Sequence, residues 1–181
     1  MDLVLPYMVM KEKESKRPEL SGVGLFSKGK FTGRVLKPEQ SRFLGLLLQE
    51  RNRIINYSTL YEDMPLSLTI IKVNRKWKFE APNAVKMVYK LEVQLDEFSK
   101  NGLREGNELA QLEEFITKKI TEEVNEVIEI LQEEKSDALG LGNFIRTKNP
   151  EIVDENWHET FANLDIQVEI KTEIFKTGLI H

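Results

Sequence analysis

From Glu108 to Glu134, apolar residues recur at steps of three and four: Leu109, Leu112, Ile116, Ile120, Val124, Val127 and Leu131. That spacing sets them on one stripe of an α-helix, which Phe115 and Ile128 broaden. About 27 residues at a rise of 1.5 Å make a rod of roughly 40 Å, and such a rod needs a wide apolar partner. Asn107, beside Glu108, suits the N-cap. The other side carries Glu113, Glu122, Glu123, Glu126, Glu129, Glu133 and Glu134, the pattern of a solvated face. Two segments alternate with a period of two instead. Val85, Met87, Tyr89, Leu91, Val93 and Leu95 form one apolar set, and Ile166, Val168, Ile170, Thr172 and Ile174 the other. Each predicts a strand with one buried face, and together they supply the sheet that the helix covers.

The remaining pattern is shorter-ranged. Residues 2–10 read as a strand that Pro6 confines to an edge or to two short pieces. Lys11 to Arg17 reads as a charged loop. Leu20 to Phe26, a turn over Ser27 to Lys30 and Phe31 to Leu36 make a β-hairpin, with Gly29 supplying positive φ. Pro38 and Glu39 open a helix containing Phe43, Leu44, Leu46, Leu47 and Leu48, where Gly45 marks close packing. Asn52 to Tyr57 is extended, Leu66 to Val73 and Lys76 to Phe79 are strands, and Glu80 to Asn83 is a turn. Ser99 to Gly106 breaks the pattern with two glycines. After the long helix, a turn through Gly140 and Gly142 leads to a short helix over Asn143 to Arg146, which Asp137 caps. Pro150 opens a further short segment, where Trp157 and Phe161 lie one helical turn apart and anchor it to the core. The expected fold is α+β: a mainly antiparallel sheet packed against one long amphipathic helix, with several short helices, in a single domain spanning residues 1–181.

Composition narrows the chemistry. The chain has no cysteine, which removes disulfides, thiolate zinc sites and cysteine nucleophiles. Its 26 basic and 30 acidic residues give a net charge of -4, unlike a dedicated nucleic-acid binder. Basic and aromatic residues interleave only at Lys72, Arg75, Lys76, Trp77 and Lys78, which a strand rim with flanking lysines explains better than single-strand binding does. No apolar run is long enough for a membrane helix, so the chain alone is expected to be soluble. Gly140-Leu141-Gly142 lacks the third glycine and preceding strand of a dinucleotide loop. His158 and Glu159, near Asp137, are the acid/base candidates of an enzymatic reading, but no nucleophile or metal constellation accompanies them. No cofactor is expected.

The order Asp137, Gly140, Gly142, Ile145-Arg146, Pro150, Trp157, Phe161 and then an alternating strand closing on Thr177-Gly178 resembles the C-terminal domain of the Ger(x)C family of spore germination lipoproteins. Gly24-Leu25-Phe26, Lys30, Gly33, Leu36, Glu39 and Gly45 to Leu48 are similar to that family's entry hairpin and first helix. The likeness covers residues 20 to 180. The chain departs from the family pattern in two ways. It lacks the lipobox cysteine, which suggests a fragment beginning near an inter-domain junction, and Glu151 to Asp154 replaces an interval that often holds a second tryptophan.

The resemblance implies the C subunit of a nutrient germinant receptor. That subunit is a non-enzymatic lipoprotein on the outer face of the inner spore membrane, associated with membrane-embedded A- and B-type subunits. Membrane attachment would come only through a lipid anchor absent from this chain, and the domain would act in interaction or positioning. Direct nutrient binding is the alternative. The motif residues Phe26, Gly33, Gly45, Asp137, Gly140, Gly142, Pro150, Trp157, Phe161 and Gly178 are then expected to have structural roles.

Overall fold

The computed structural model describes residues 1–10, 18–49, 54–80, 82–98 and 107–177. The Lys11–Arg17 loop, the Ser99–Gly106 break, the start of the segment expected at Asn52, Ala81 of the expected turn and Gly178 lie outside the described residues. In chain order the elements are β1 (Val4–Met10), β2 (Pro18–Ser27), β3 (Lys30–Leu36), α1 (Pro38–Leu48), β4 (Ile55–Tyr61), β5 (Met64–Glu80), β6 (Ala84–Phe98) and α2 (Asn107–Glu133). Then come α3 (Leu141–Arg146), a 3-10 turn (Pro150–Ile152), α4 (Trp157–Ala162) and β7 (Asp165–Thr177).

Two sheets result. The smaller has the order β1-β2-β3 and is antiparallel throughout. The larger has the order β4-β5-β6-β7, antiparallel except for β6 and β7, which run parallel. Parallel neighbours require a crossover, and α2 with the short helices after it provides one. The architecture is therefore α+β, with a mainly antiparallel sheet system and one long helix.

The apolar periodicities close on each other. Leu112, Ile116, Ile120, Val124, Val127 and Leu131 of α2 are fully buried, and Val85, Met87, Tyr89, Leu91, Val93 and Leu95 of β6 are equally so. α1 adds Phe43, Leu44, Leu46 and Leu47, packing beside α2 and against β2. A single apolar cluster includes residues of both sheets and all four helices.

Some boundaries differ from the expected ones, each for a local reason. The two strands expected on either side of Asn74 are one strand of 17 residues. Its partner β6 pairs along its whole length, so Asn74 and Arg75 face Lys90 and Tyr89 even where the apolar pattern lapses. β4 runs on to Tyr61, and its turn into β5 places Glu62 and Asp63 at φ of 50° and 63°. A two-residue hairpin turn normally draws such backbone from Asn or Gly, so the sequence carried little sign of it. The helix expected at Asn143 starts at Leu141, because Asp137 holds the amides of Leu141 and Gly142.

Candidate functional site

The residues singled out in the last third of the chain meet where α2 ends. Lys135 takes φ of 50°, its amide donates to Gln132 O at 3.0 Å, and the Ser136 amide donates to Leu131 O at 2.8 Å. Those two bonds make a Schellman termination, with lysine in the left-handed position that glycine usually fills. The smaller sheet is tied to the same point. Ser136 Oγ donates to Phe26 O at 2.7 Å, and Ser27 Oγ donates to Lys135 O at 2.7 Å.

Asp137 follows, almost wholly buried. Its Oδ1 accepts the Leu141 amide at 2.7 Å, and its Oδ2 accepts the Gly142 amide at 2.8 Å and Trp157 Nε1 at 2.9 Å. One carboxylate thus caps α3 and orients the tryptophan that opens α4. Burial pushes the Asp137 carboxyl above the usual carboxylate range, while these three donors pull the other way. Gly140 sits at φ +78°, and Gly142 lies so close to the indole that a Cβ would fall 2.7 Å from Trp157 Nε1. Only glycine leaves room there. The Phe161 ring centroid lies 6.2 Å from that of Trp157, and Gln132 Nε2 reaches across from α2 to Phe161 O at 3.0 Å and Leu164 O at 2.8 Å.

Asp2 completes the corner from the other end of the chain. Its amide donates to Asp137 O at 2.9 Å, and its carboxylate accepts the Asp137 amide at 2.8 Å and the Lys28 amide at 3.2 Å. His158 Nε2 lies 3.1 Å from that carboxylate, in a half-buried contact. Glu159 pairs with Lys135 Nζ at 2.6 Å. The acid/base candidates His158 and Glu159, and Asp137 near them, are therefore each engaged in contacts that hold segments together. Of the other motif residues, Phe26 contributes its carbonyl here and its ring to Phe31, 5.6 Å away. Gly33 lies in β3 at φ +92°, Gly45 is buried inside α1, and Pro150 opens the 3-10 turn; none of them joins this network. Sequence reasoning missed Asp2, Ser27, Gln132, Lys135 and Ser136. Their partners lie far along the chain, and no periodicity marks them.

The basic-aromatic stretch in β5 is occupied by structure. Arg75 Nη1 donates to Leu47 O and Leu48 O at 3.1 Å each, satisfying the end of α1, and the guanidinium lies 4.5 Å from the Trp77 ring centroid. Trp77 Nε1 donates to Tyr89 Oη at 3.0 Å, and that hydroxyl donates to Leu47 O at 3.1 Å. Burial pushes the Tyr89 hydroxyl up to about 12. Lys72 pairs with Glu92, and Lys78 with Glu80. A cleft of about 370 Å³ lies elsewhere, between α1, β4 and α2, with Arg42, Phe43, Tyr57 and Glu123 among its walls. Burial raises the carboxyl of Glu123 there, with Glu126 nearby adding to the effect. Among the described residues, no group of three His, Cys, Asp or Glu side chains is arranged to hold a metal, and no helix is long and apolar enough to cross a membrane.

The family described as spore germination B3/GerAC-like, C-terminal, matches residues 21–178. The chain belongs to this family. The GerAC-like domain also shares its fold with a solved structure titled "Crystal Structure of the GerBC protein", at a TM-score of 0.78 and 22% sequence identity. That likeness covers 96% of this chain and 57% of the GerBC chain, so the GerAC-like domain spans little more than half of that protein. No curated protein matches it. The matched span takes in the whole Asp137 corner except Asp2.

Proposed function

We propose that this GerAC-like domain is the C-terminal part of a germinant-receptor C subunit and works as a non-enzymatic interaction and positioning module, needed for receptor assembly or nutrient response. The observation that carries the reading is the family match over residues 21–178, on a chain whose fold is also that of the GerBC protein. The corner at Asp137 supports it, because its titratable side chains join segments and leave no free acid/base pair among them. The chain acts as one domain, a view that the shared apolar cluster supports. Its partners are the membrane-embedded A- and B-type subunits, and its place is the outer face of the inner spore membrane, held there by a lipid anchor outside this chain. The motif residues serve this role by fixing the fold that presents the partner surface.

Pull-down of the domain with each membrane subunit separately tests the reading. Retention of at least one is expected, together with loss of nutrient response when the domain is deleted from the intact lipoprotein. Unchanged receptor assembly and germination after that deletion would sink it. A second reading, nutrient binding, draws on the cleft between α1, β4 and α2, where the Arg42 guanidinium and the Glu123 carboxyl flank the aromatic pair Phe43 and Tyr57. Thermal-shift screening with amino acids and sugars tests it, since a bound ligand raises apparent stability. No shift across the panel would discard it.

A further inference from the structure

Large apolar side chains are exposed mainly on the smaller sheet. Leu3, Leu5, Tyr7, Met8, Leu20 and Phe31 are each 41% to 61% exposed. The register shows which of them share a face. Leu5 pairs with Gly24 and Tyr7 with Gly22, and beyond them Ser21 is an extra residue in β2, so that Met8 pairs with Leu20. Gly22 and Gly24 of β2 point the same way as Leu5 and Tyr7, opposite to Leu25 and Val23, which turn to the core, whereas Met8 and Leu20, beyond the extra residue, fall on the other face. Phe31 lies over Gly24, where a Cβ would fall 3.0 Å from its ring, and it stacks on Tyr7 at 6.3 Å between centroids. Two glycines in the floor leave Leu5, Tyr7 and Phe31 as a raised apolar shelf. A patch of this kind marks a surface that works in contact with something else.

Charge indicates what that is. The hairpin beside the shelf carries Lys28, Lys30 and Arg34, and Lys37 follows it; all four are exposed and none forms an ion pair among the described residues. Of the two described acidic residues in this part of the chain, Asp2 is turned inward onto Asp137 and Lys28 amides. Counted over the sequence, residues 1–37 hold eight basic and four acidic side chains, whereas the rest holds 18 basic and 26 acidic. A leucine, tyrosine and phenylalanine shelf rimmed by unpaired cations, on a molecule acidic elsewhere, is complementary to an extended anionic and apolar boundary.

We propose that the outer face of the β1-β2-β3 sheet docks peripherally on an anionic lipid bilayer, with Leu5, Tyr7 and Phe31 entering the headgroup region and Lys28, Lys30 and Arg34 meeting lipid phosphates. This contact needs no receptor protein and is separate from the partner assignment above.

The test is co-sedimentation of the whole chain with phosphatidylcholine vesicles and with equimolar phosphatidylcholine–phosphatidylglycerol vesicles. Binding is expected to the anionic vesicles and to weaken several-fold as salt rises, because surface charge is screened. The triple variant Leu5→Ser, Tyr7→Ser, Phe31→Ser is expected to lose about a hundredfold in partitioning, from three half-inserted side chains. Because that variant can also weaken the sheet, Lys30→Glu with Arg34→Glu is measured beside it. This pair leaves the core untouched and should abolish the preference for anionic lipid. Equal binding to both vesicle types, or no binding to either, overturns the proposal. So does a dimer in light scattering that the triple variant dissolves, since the shelf would then belong to a second copy of this chain. The pull-down reads receptor partners without these vesicles, so either reading can fail alone.

Discussion

Replacing Asp137 by alanine tests the organisation of the corner. From the sequence alone Asp137 is a helix cap, worth about 0.5–2 kcal/mol. The structure raises that figure. Its carboxylate satisfies the amides of Leu141 and Gly142 and the Trp157 indole N–H, all three of them on buried residues. Each buried donor left without an acceptor costs about 1–3 kcal/mol, and removing a desolvated carboxylate returns part of the total, so the loss comes to about 3–5 kcal/mol. Urea unfolding followed by circular dichroism measures it, and a loss below about 1 kcal/mol would refute the geometry's energetic meaning. A double-mutant cycle with Trp157→Phe isolates the indole bond and should give a coupling of about 1 kcal/mol or more. pH adds an independent check. Burial raises the Asp137 carboxyl in the folded protein above its unfolded value, so the folded state holds that proton more tightly. Its contribution to stability therefore falls as pH rises from the unfolded value through the raised one. The stability gap between wild type and Asp137→Ala should be widest below the ordinary carboxylate value and narrow as pH rises through the raised one; a gap that widens instead contradicts the assignment.

Three further substitutions probe other parts of the fold. Gly22→Ala places a Cβ 1.9 Å from Leu36 O at φ +144°, so it should destabilise by about 3 kcal/mol or more, and a wild-type melting temperature would show that β2 accommodates it. Gln132→Ala strips the amide from Phe161 O and Leu164 O, for an expected loss of about 1–3 kcal/mol with faster amide exchange in α4; unchanged exchange would mean water replaces the side chain fully. Arg75→Ala removes two bonds from the end of α1 and the cation over Trp77, costing about 1–3 kcal/mol with a shift in tryptophan emission; an unaltered spectrum and midpoint would place Arg75 in solvent.

The fold was legible where one period persisted. α2 and β6 each bury one face of a long regular pattern, and the structure packs those faces into the same cluster. Legibility failed where pairing outweighed composition, as at Asn74 and Arg75, which are strand residues because β6 runs opposite them. It failed again where backbone took positive φ without glycine, at Glu62, Asp63 and Lys135. The corner was half visible. Asp137, Gly140, Gly142, Trp157 and Phe161 stood out as residue types, but the contribution of Asp2 depends on contacts spanning most of the chain. Arg75 and Trp77 read as part of a strand rim; they lie in β5, and their partners are the end of α1 and the Tyr89 hydroxyl.

The parallel pairing of β6 with β7 also shapes how the polypeptide acquires its structure. Ala84 pairs with Asp165 and Leu95 with Thr177, and the whole of α2 lies between them. During synthesis β4, β5 and β6 can zip as successive hairpins, and α2 can coil locally, while β6 still presents an unpaired apolar edge. That edge closes only after β7 has left the ribosome. Truncation within β7, or slow translation before it, would therefore leave a nearly complete domain with an open sheet prone to association.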